Sequence, residues 1–194
     1  MPTTETERKK ALKQTCSFTL SDLETPNAKF SFVPENTIKA AIPAETFRDL
    51  ISFTPSHTSN LGDKLTNNSK KHIDEIVHEV VAALNVKTVY FYSRFESQQK
   101  SVVDLAHDVL TNSGTFMCLF CPDSLLESLY SSIRNALAHG NIAQKEKYYY
   151  LYSVSSQEGE KTPETQKRIT FLLKVHSLNN LNLKAYLDAY NKYK

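Results

Sequence analysis

The chain of 194 residues is poor in the features that define several common protein classes. It has four glycines, three cysteines and no tryptophan. An odd number of cysteines argues against a disulfide framework, and the absence of repeats excludes collagen-like and low-complexity architectures. No apolar run approaches the ~20 residues that a membrane helix requires, and the first residues, MPTTETERKK, lack the apolar centre of a signal peptide. We therefore expect a cytoplasmic protein with no membrane contact.

The chain carries almost equal numbers of basic and acidic residues. The formal net charge is +2, from 23 basic and 21 acidic residues, so the chain lacks the general basic character of a nucleic-acid coat protein. Any contact with RNA would depend on local groups of lysines. The candidates are Lys9, Lys10 and Lys13, then Lys70 and Lys71, then Lys145 and Lys147. Each group taken alone is more typical of a solvated face.

Two patterns resemble parts of metal sites, and both lack the remaining ligands. Cys118 and Cys121 form a C-x-x-C, but a structural zinc site needs four ligands and no second pair is present. Two small buried apolar residues are the better interpretation. His72, His78 and Glu79 lie on one predicted helix without the H-E-x-x-H pattern. We expect neither a metal nor another cofactor.

Apolar residues at spacings of three and four predict four helices. These are expected near 68–85, 94–112, 123–139 and 181–193. PAETFRDLISF predicts another helix, because Pro43 suits a first turn. KYYYLYSV and QKRITFLLKVHSL are rich in aromatic and β-branched residues, and the polar loop between them indicates a β-hairpin. KFSFVPEN and TIKAAIP predict short strands or irregular structure.

Together these elements predict a mainly α-helical fold, a helical bundle with an appended C-terminal β-hairpin. We expect residues 1–194 to form a single domain, since this length suits one substantial core. Residues 145–177 would be a hairpin inserted before the last helix. Residues 1–60 would be an N-terminal elaboration, with a weakly ordered or extended arm up to about residue 28.

The stretch SSIRNALAHGN, residues 131–141, ends the third predicted helix. On an ideal helix Asn135 and His139 share a face, whereas Arg134 points about 140° away from His139. A structural interpretation is available, because a histidine suits the C-terminal end of a helix dipole and Gly140 supplies a left-handed cap. Arg134 and His139 could still converge on one phosphate if the helix unwound before Gly140. A second copy of the chain could also supply its own pair.

The segment RNALAHG resembles the R-N-x-x-x-H signature of the HEPN superfamily, through Arg134, Asn135 and His139. HEPN proteins are all-helical domains of many prokaryotic RNases, toxins, phage-defence proteins and some CRISPR effectors. The resemblance implies a HEPN-like helical bundle and a metal-independent endoribonuclease of toxin or abortive-infection, antiviral-defence type. In that mechanism the RNA 2′-hydroxyl attacks the adjacent phosphate. Arg134, Asn135 and His139 are then the expected catalytic residues.

The residue types suit this chemistry. Histidine transfers protons near neutral pH, arginine can brace the charge that develops on the phosphorane, and asparagine can orient either group. Transesterification needs a base and an acid, while one chain supplies one motif histidine, so we expect a homodimer with a composite active site. The expected partners are an RNA substrate and an antitoxin or regulatory protein. The alternative is a non-catalytic HEPN-like module that binds RNA, nucleotide or a protein partner.

Overall fold

The chain contains both helices and strands. A computed structural model describes residues 17–52, 78–92, 101–112, 114–120, 125–154 and 162–191. The helices are α1 (Glu35–Ala41), α2 (Ala44–Ser52), α3 (78–83), α4 (Val102–Thr111), α5 (Leu125–Ala138) and α6 (Leu183–Asn191). The strands are β1 (Ser31–Phe32), β2 (Thr88–Tyr92), β3 (Phe116–Phe120), β4 (Ile142–Lys145), β5 (Tyr148–Val154) and β6 (Ile169–Val175).

The six strands form one mixed sheet in the order β1-β4-β5-β6-β3-β2. β2 and β3 are parallel, and the other neighbours are antiparallel. Parallel strands need a crossover connection, and α4 lies in the connection between β2 and β3. β4 and β5 are joined by a tight turn in which Glu146 has a φ of 56°. The protein is therefore an α/β protein.

This sheet overturns the predicted mainly α-helical bundle with an appended hairpin. The predicted hairpin strands do pair, as β5 and β6, but they are the two central strands of the sheet. FMCLF, which forms β3, was not predicted as a strand. A strand covered on both faces gives a continuous apolar run instead of an alternating pattern, and such a short run does not distinguish strand from helix.

An apolar layer covers each side of the sheet. Side chains of β5 alternate between the two layers, as the pleat requires: Leu151 packs on one side, and Tyr150 and Tyr152 on the other. The first layer contains buried residues of α1, α2, α3, α5 and α6. The second contains buried residues of α4 and of the segment that precedes β1. The central strands therefore have no solvated face, which explains their richness in large apolar residues.

The segment before β1 belongs to the second layer. Phe18 forms a β-bridge to the first residue of β6, and Phe18 and Leu23 are at most 1% exposed. The ammonium of Lys145 donates to the Leu23 carbonyl at 2.7 Å, so Lys145 is buried and not part of a surface lysine group. From Ser17 onward, the predicted weakly ordered or extended arm is instead packed in the core. The residues before Ser17 lie outside the described part.

Each of the four helices predicted from apolar periodicity contains a described helix, namely α3, α4, α5 and α6. A capping box formed by Ser101 and Asp104 starts α4. PAETFRDLISF forms α2 as predicted, and part of KFSFVPEN forms β1. TIKAAIP was predicted as a strand or irregular segment, but it lies largely in α1. Only Ile38 of α1 is buried, so this helix lacks the apolar stripe by which helices are predicted.

A buried lysine joins α4 to the sheet. Lys174 of β6 is 1% exposed, and its ammonium donates to the carbonyls of Leu110 and Asn112, each at 2.8 Å. Carbonyls at a helix C-terminus lack intrahelical donors and carry the negative end of the dipole. The ammonium therefore supplies the missing donors and interacts favourably with the dipole. It also lies 4.0 Å from the centre of the Tyr148 ring. Burial lowers the pKa of Lys174, while the charge of Glu146 opposes this effect.

The buried tyrosines of β5 predict a loss of stability at alkaline pH. Burial raises the pKa of the Tyr150 phenol far above its ordinary value, and the charge of Glu146 adds to the effect. The pKa of this phenol is higher in the folded protein than in the unfolded protein, where it is about 10. Its contribution to the free energy of unfolding is therefore complete below about pH 10 and is lost as the pH rises above that value. Tyr150→Phe should keep the edge-to-face contact with Phe30 and most of the stability at pH 7.

Above about pH 10, we expect the unfolding free energy of wild type to fall more steeply than that of Tyr150→Phe, by up to about 1.4 kcal/mol per pH unit. Urea unfolding of both proteins at a series of pH values from neutral to alkaline measures the two slopes. Parallel slopes would contradict a neutral, buried phenol at this position.

Candidate functional site

The motif residues are held in place by the buried stripe of α5. The stripe packs against the sheet and against α2 and α6. It consists of Leu129, Tyr130, Ile133, Ala136 and Leu137, each at most 2% exposed. The Tyr130 hydroxyl donates to the Leu50 carbonyl at 2.7 Å, at the end of α2. This packing leaves Arg134 and Asn135 half-buried on the flank of the helix.

A Schellman cap ends α5 and sets the position of His139. Gly140 has a φ of 64°, the left-handed conformation that glycine adopts at no steric cost. Its N–H donates to the Leu137 carbonyl at 3.2 Å, and the Asn141 N–H donates to the Ala136 carbonyl at 2.8 Å. These two bonds define the motif. The predicted stop at Gly140 is confirmed, and the side chain of His139 is exposed at the corner between α5 and β4.

Arg134 and Asn135 are in direct contact. Nη1 of Arg134 donates to Oδ1 of Asn135 at 3.1 Å. Asn135 in turn lies one helical turn before His139, whose backbone N–H donates to the Asn135 carbonyl at 3.0 Å. The guanidinium therefore reaches toward the helix face that Asn135 and His139 share, although the backbone of Arg134 faces about 140° away on an ideal helix.

The guanidinium retains unused donor capacity. Nε of Arg134 is buried and finds no hydrogen-bond acceptor in the part of the chain that the structure describes. A buried N–H without an acceptor is unfavourable, and such groups are rare in folded proteins. Burial raises the pKa of the neighbouring Tyr130 phenol, and the positive charge of Arg134 opposes that rise. A positive charge with a free N–H is therefore fixed beside the middle of α5.

A cleft of about 590 Å³ opens beside His139. Its walls come from α1, α2 and the end of α5, and its apolar surface includes Ile38, Ile42, Phe47 and Leu137. Glu35 and Lys39 also line the cleft, joined by an ion pair of 2.6 Å and well exposed to solvent. Arg134 and Asn135 are not among the residues that line it.

The predicted catalytic residues are thus arranged in two parts. Arg134 and Asn135 form one contacting pair, whereas His139 lines the cleft. The cleft could not be predicted from the sequence, because α1 buries only Ile38 and carries no apolar stripe that predicts a helix. The available signal was Glu35 and Lys39, whose i,i+4 spacing is typical of a surface helix.

The other sequence candidates add no site within the described residues. No three His, Cys, Asp or Glu side chains in these residues are grouped so that they could hold a metal ion. His78 is exposed, and Cys118 lies in β3. His72 and Cys121 lie outside the described residues, so the C-x-x-C remains untested as a pair. Lys147 is exposed in the turn between β4 and β5.

No model of a protein family, no curated protein and no solved structure matches the chain. None of the helices in the described ranges is long and apolar enough to cross a membrane. Function is therefore inferred from the residues of α5 and their surroundings.

Proposed function

We propose that the protein is an endoribonuclease whose scissile phosphate binds beside Arg134, Asn135 and His139. The observation that carries this proposal is the contact of 3.1 Å between Arg134 Nη1 and Asn135 Oδ1. It directs the guanidinium to the face of α5 that His139 shares, so that one phosphate could meet both groups. The resemblance of the motif to R-N-x-x-x-H supports the same assignment, here on an α/β scaffold.

The chemistry requires a proton to be removed and another to be supplied. The 2′-hydroxyl loses its proton to a base, the bond from O2′ to phosphorus forms, and the bond from phosphorus to O5′ breaks. The leaving O5′ takes a proton from an acid, which gives a 2′,3′-cyclic phosphate and a 5′-hydroxyl. His139 is exposed and can perform one proton transfer. Arg134 can stabilise the negative charge on the non-bridging oxygens through charge-assisted hydrogen bonds.

The half-buried guanidinium of Arg134 fits this role. A positive charge that is already held in place before the substrate binds needs little reorganisation when charge develops on the phosphate. Asn135, which accepts from the same guanidinium, would hold it in orientation. We therefore assign Arg134 to charge stabilisation, Asn135 to positioning and His139 to proton transfer.

A second proton carrier is needed, and we expect a second copy of the chain to supply it. Light scattering at micromolar concentration should give about twice the chain mass of 22.0 kDa. In this dimer we expect α5 to lie near the two-fold axis. The specific activity should fall on dilution as the dimer dissociates. A monomer that retains full specific activity would contradict the composite site.

The proposal is tested with purified protein and total RNA in the presence of EDTA. We expect cleavage whose 5′ ends can be phosphorylated by polynucleotide kinase without prior phosphatase treatment. The 3′ ends should resist ligation until the cyclic phosphate is opened and removed. Products with 5′-phosphate and 3′-hydroxyl ends would contradict the 2′-hydroxyl mechanism.

The second candidate function is a non-catalytic module that binds RNA, nucleotide or a protein partner. The cleft beside His139 favours it, because its volume of about 590 Å³ lies within the range of small-molecule binding sites. RNA that is bound and recovered intact in the same experiment would support this candidate over the RNase.

A further inference from the structure

We infer that the cleft lined by α1, α2 and the end of α5 binds the base of the nucleotide next to the scissile phosphate. This inference rests on the proposed RNase function, and it assigns the recognition of substrate to a surface separate from Arg134 and Asn135. The occupant is a single nucleoside of an RNA strand, with its phosphate at His139.

The interior of the cleft suits a nucleobase. Ile38, Ile42 and Leu137 are at most 3% exposed and supply an apolar floor, while the half-buried Phe47 adds an aromatic ring. Unstacked bases bind proteins by stacking on aromatic and apolar side chains, which gives affinity without strict dependence on sequence. The volume of about 590 Å³ is large enough for a base together with its ribose.

The charges around the cleft suit the backbone of the same nucleotide. Lys39 lines the cleft and is exposed. Its ion pair with Glu35 is of the exposed i,i+4 kind, which contributes little to stability. Lys39 can therefore exchange Glu35 for a phosphate at small cost, and Glu35 is then left free to accept hydrogen bonds from a base or from a ribose hydroxyl.

The position of His139 connects the cleft to the proposed reaction centre. His139 lines the cleft and follows Asn135 by one helical turn on the same face. A nucleotide whose base enters the cleft would place its phosphate beside the exposed side chain of His139. The positive charge of Arg134, on the neighbouring flank of α5, would then attract the same phosphate.

The test introduces a large side chain into the cleft and leaves Arg134, Asn135 and His139 unchanged. Ala44 lines the cleft and is exposed at the start of α2, so Ala44→Trp should introduce an indole into the base pocket without disturbing the core. Ala82→Trp is the matched control, because Ala82 is exposed on α3 and does not line the cleft. Thermal unfolding of both variants verifies that they fold.

Two readouts are compared for wild type and both variants. Calorimetric titration with the 3′-monophosphates of adenosine, guanosine, cytidine and uridine measures binding without cleavage, and ribose 5-phosphate tests the phosphate and sugar alone. We expect wild type and Ala82→Trp to bind nucleotides, and ribose 5-phosphate to bind at least about tenfold more weakly. Ala44→Trp should weaken nucleotide binding by about tenfold or more and raise KM for RNA, with a much smaller change in kcat.

The outcomes separate this inference from the proposed function. If wild type cleaves RNA but Ala44→Trp keeps the wild-type KM and nucleotide affinity, the base pocket is wrong and the RNase assignment stands. If ribose 5-phosphate binds as tightly as the nucleotides, the base is not recognised and the inference is overturned. If nucleotides bind, Ala44→Trp abolishes binding and RNA is never cleaved, the cleft is a nucleotide site and the RNase assignment fails.

Discussion

Replacing His139 with alanine should abolish RNA cleavage and leave the protein folded. Loss of a general acid or base reduces rates by ~10²–10⁴-fold. The side chain is exposed and takes no part in the buried stripe of α5, so stability should change by at most about 1 kcal/mol. Cleavage rate and thermal unfolding are measured on the same preparation of the variant.

Variants of Arg134 and Asn135 extend this experiment to the other two motif residues. Arg134→Ala should reduce cleavage by a factor similar to that of His139→Ala, because it would remove the charge that we propose to stabilise the phosphorane. Arg134→Lys should restore little activity, since lysine keeps the charge but loses the paired planar donors. Asn135→Ala should be intermediate, because Asn135 orients the reacting groups without moving a proton.

His107→Ala is the matched control, because His107 is an exposed histidine on α4, which packs on the other side of the sheet. It should cleave RNA at the wild-type rate. If α5 instead ends in an ordinary structural cap, His139→Ala and Arg134→Ala should lower stability without affecting any cleavage. Full cleavage by the His139 variant would rule out the catalytic assignment.

Replacing Phe171 with alanine should remove about 3–5 kcal/mol of stability. Phe171 is fully buried in β6, at the centre of the sheet, and packs in the layer that contains α5. Domains of ordinary stability have about 5–15 kcal/mol in total, so this variant should be close to unfolding. The matched control is Phe32→Ala in the edge strand β1, where the ring is 45% exposed and the loss should be under about 1 kcal/mol.

Urea unfolding of both variants measures the two losses. The comparison separates the α/β fold from the helical bundle that the sequence predicted. In a bundle with an appended hairpin, Phe171 would lie outside the main core, and the two phenylalanine variants would lose similar amounts of stability. Such equal losses would contradict a central position for β6.

Local patterns in the sequence predicted local structure well. Leu129, Ile133 and Leu137 form an apolar stripe that predicted the buried face of α5, and Gly140 predicted its end. The aromatic and β-branched residues of β5 and β6 predicted their pairing. In each case the signal lies in residues that are neighbours on one helix or on one hairpin.

The sheet could not be predicted in the same way, because its order depends on pairings between distant residues. Ser31 bonds to Gln144 across 113 positions of sequence, and no local pattern encodes that partnership. FMCLF has no alternation because β3 lies between β6 and β2 within a covered sheet. The helical bundle was therefore predicted from the segments with strong periodicity alone.

For the candidate site, residue identity was predictable and geometry was not. The motif singled out Arg134, Asn135 and His139, but the contact between Arg134 and Asn135 depends on side-chain rotamers that the sequence does not specify. The cleft depends on α1, which buries only Ile38 and so carries no helical stripe. The i,i+4 spacing of Glu35 and Lys39, which form an exposed ion pair, was the sequence feature that indicated this helix.

The order of the strands also constrains how the chain can fold while it is being synthesised. Phe18 and Leu23 are synthesised before the residues that cover them, which belong in part to α4 and β3 and in part to three strands beyond residue 141, namely β4, β5 and β6. At about 5–20 residues per second, the intervening chain takes on the order of ten seconds to make. During that interval the native surface available to these apolar side chains is limited to α4 and β3. This segment therefore completes its native packing only after β6 has been made, and until then it exposes apolar surface of the kind that chaperones bind.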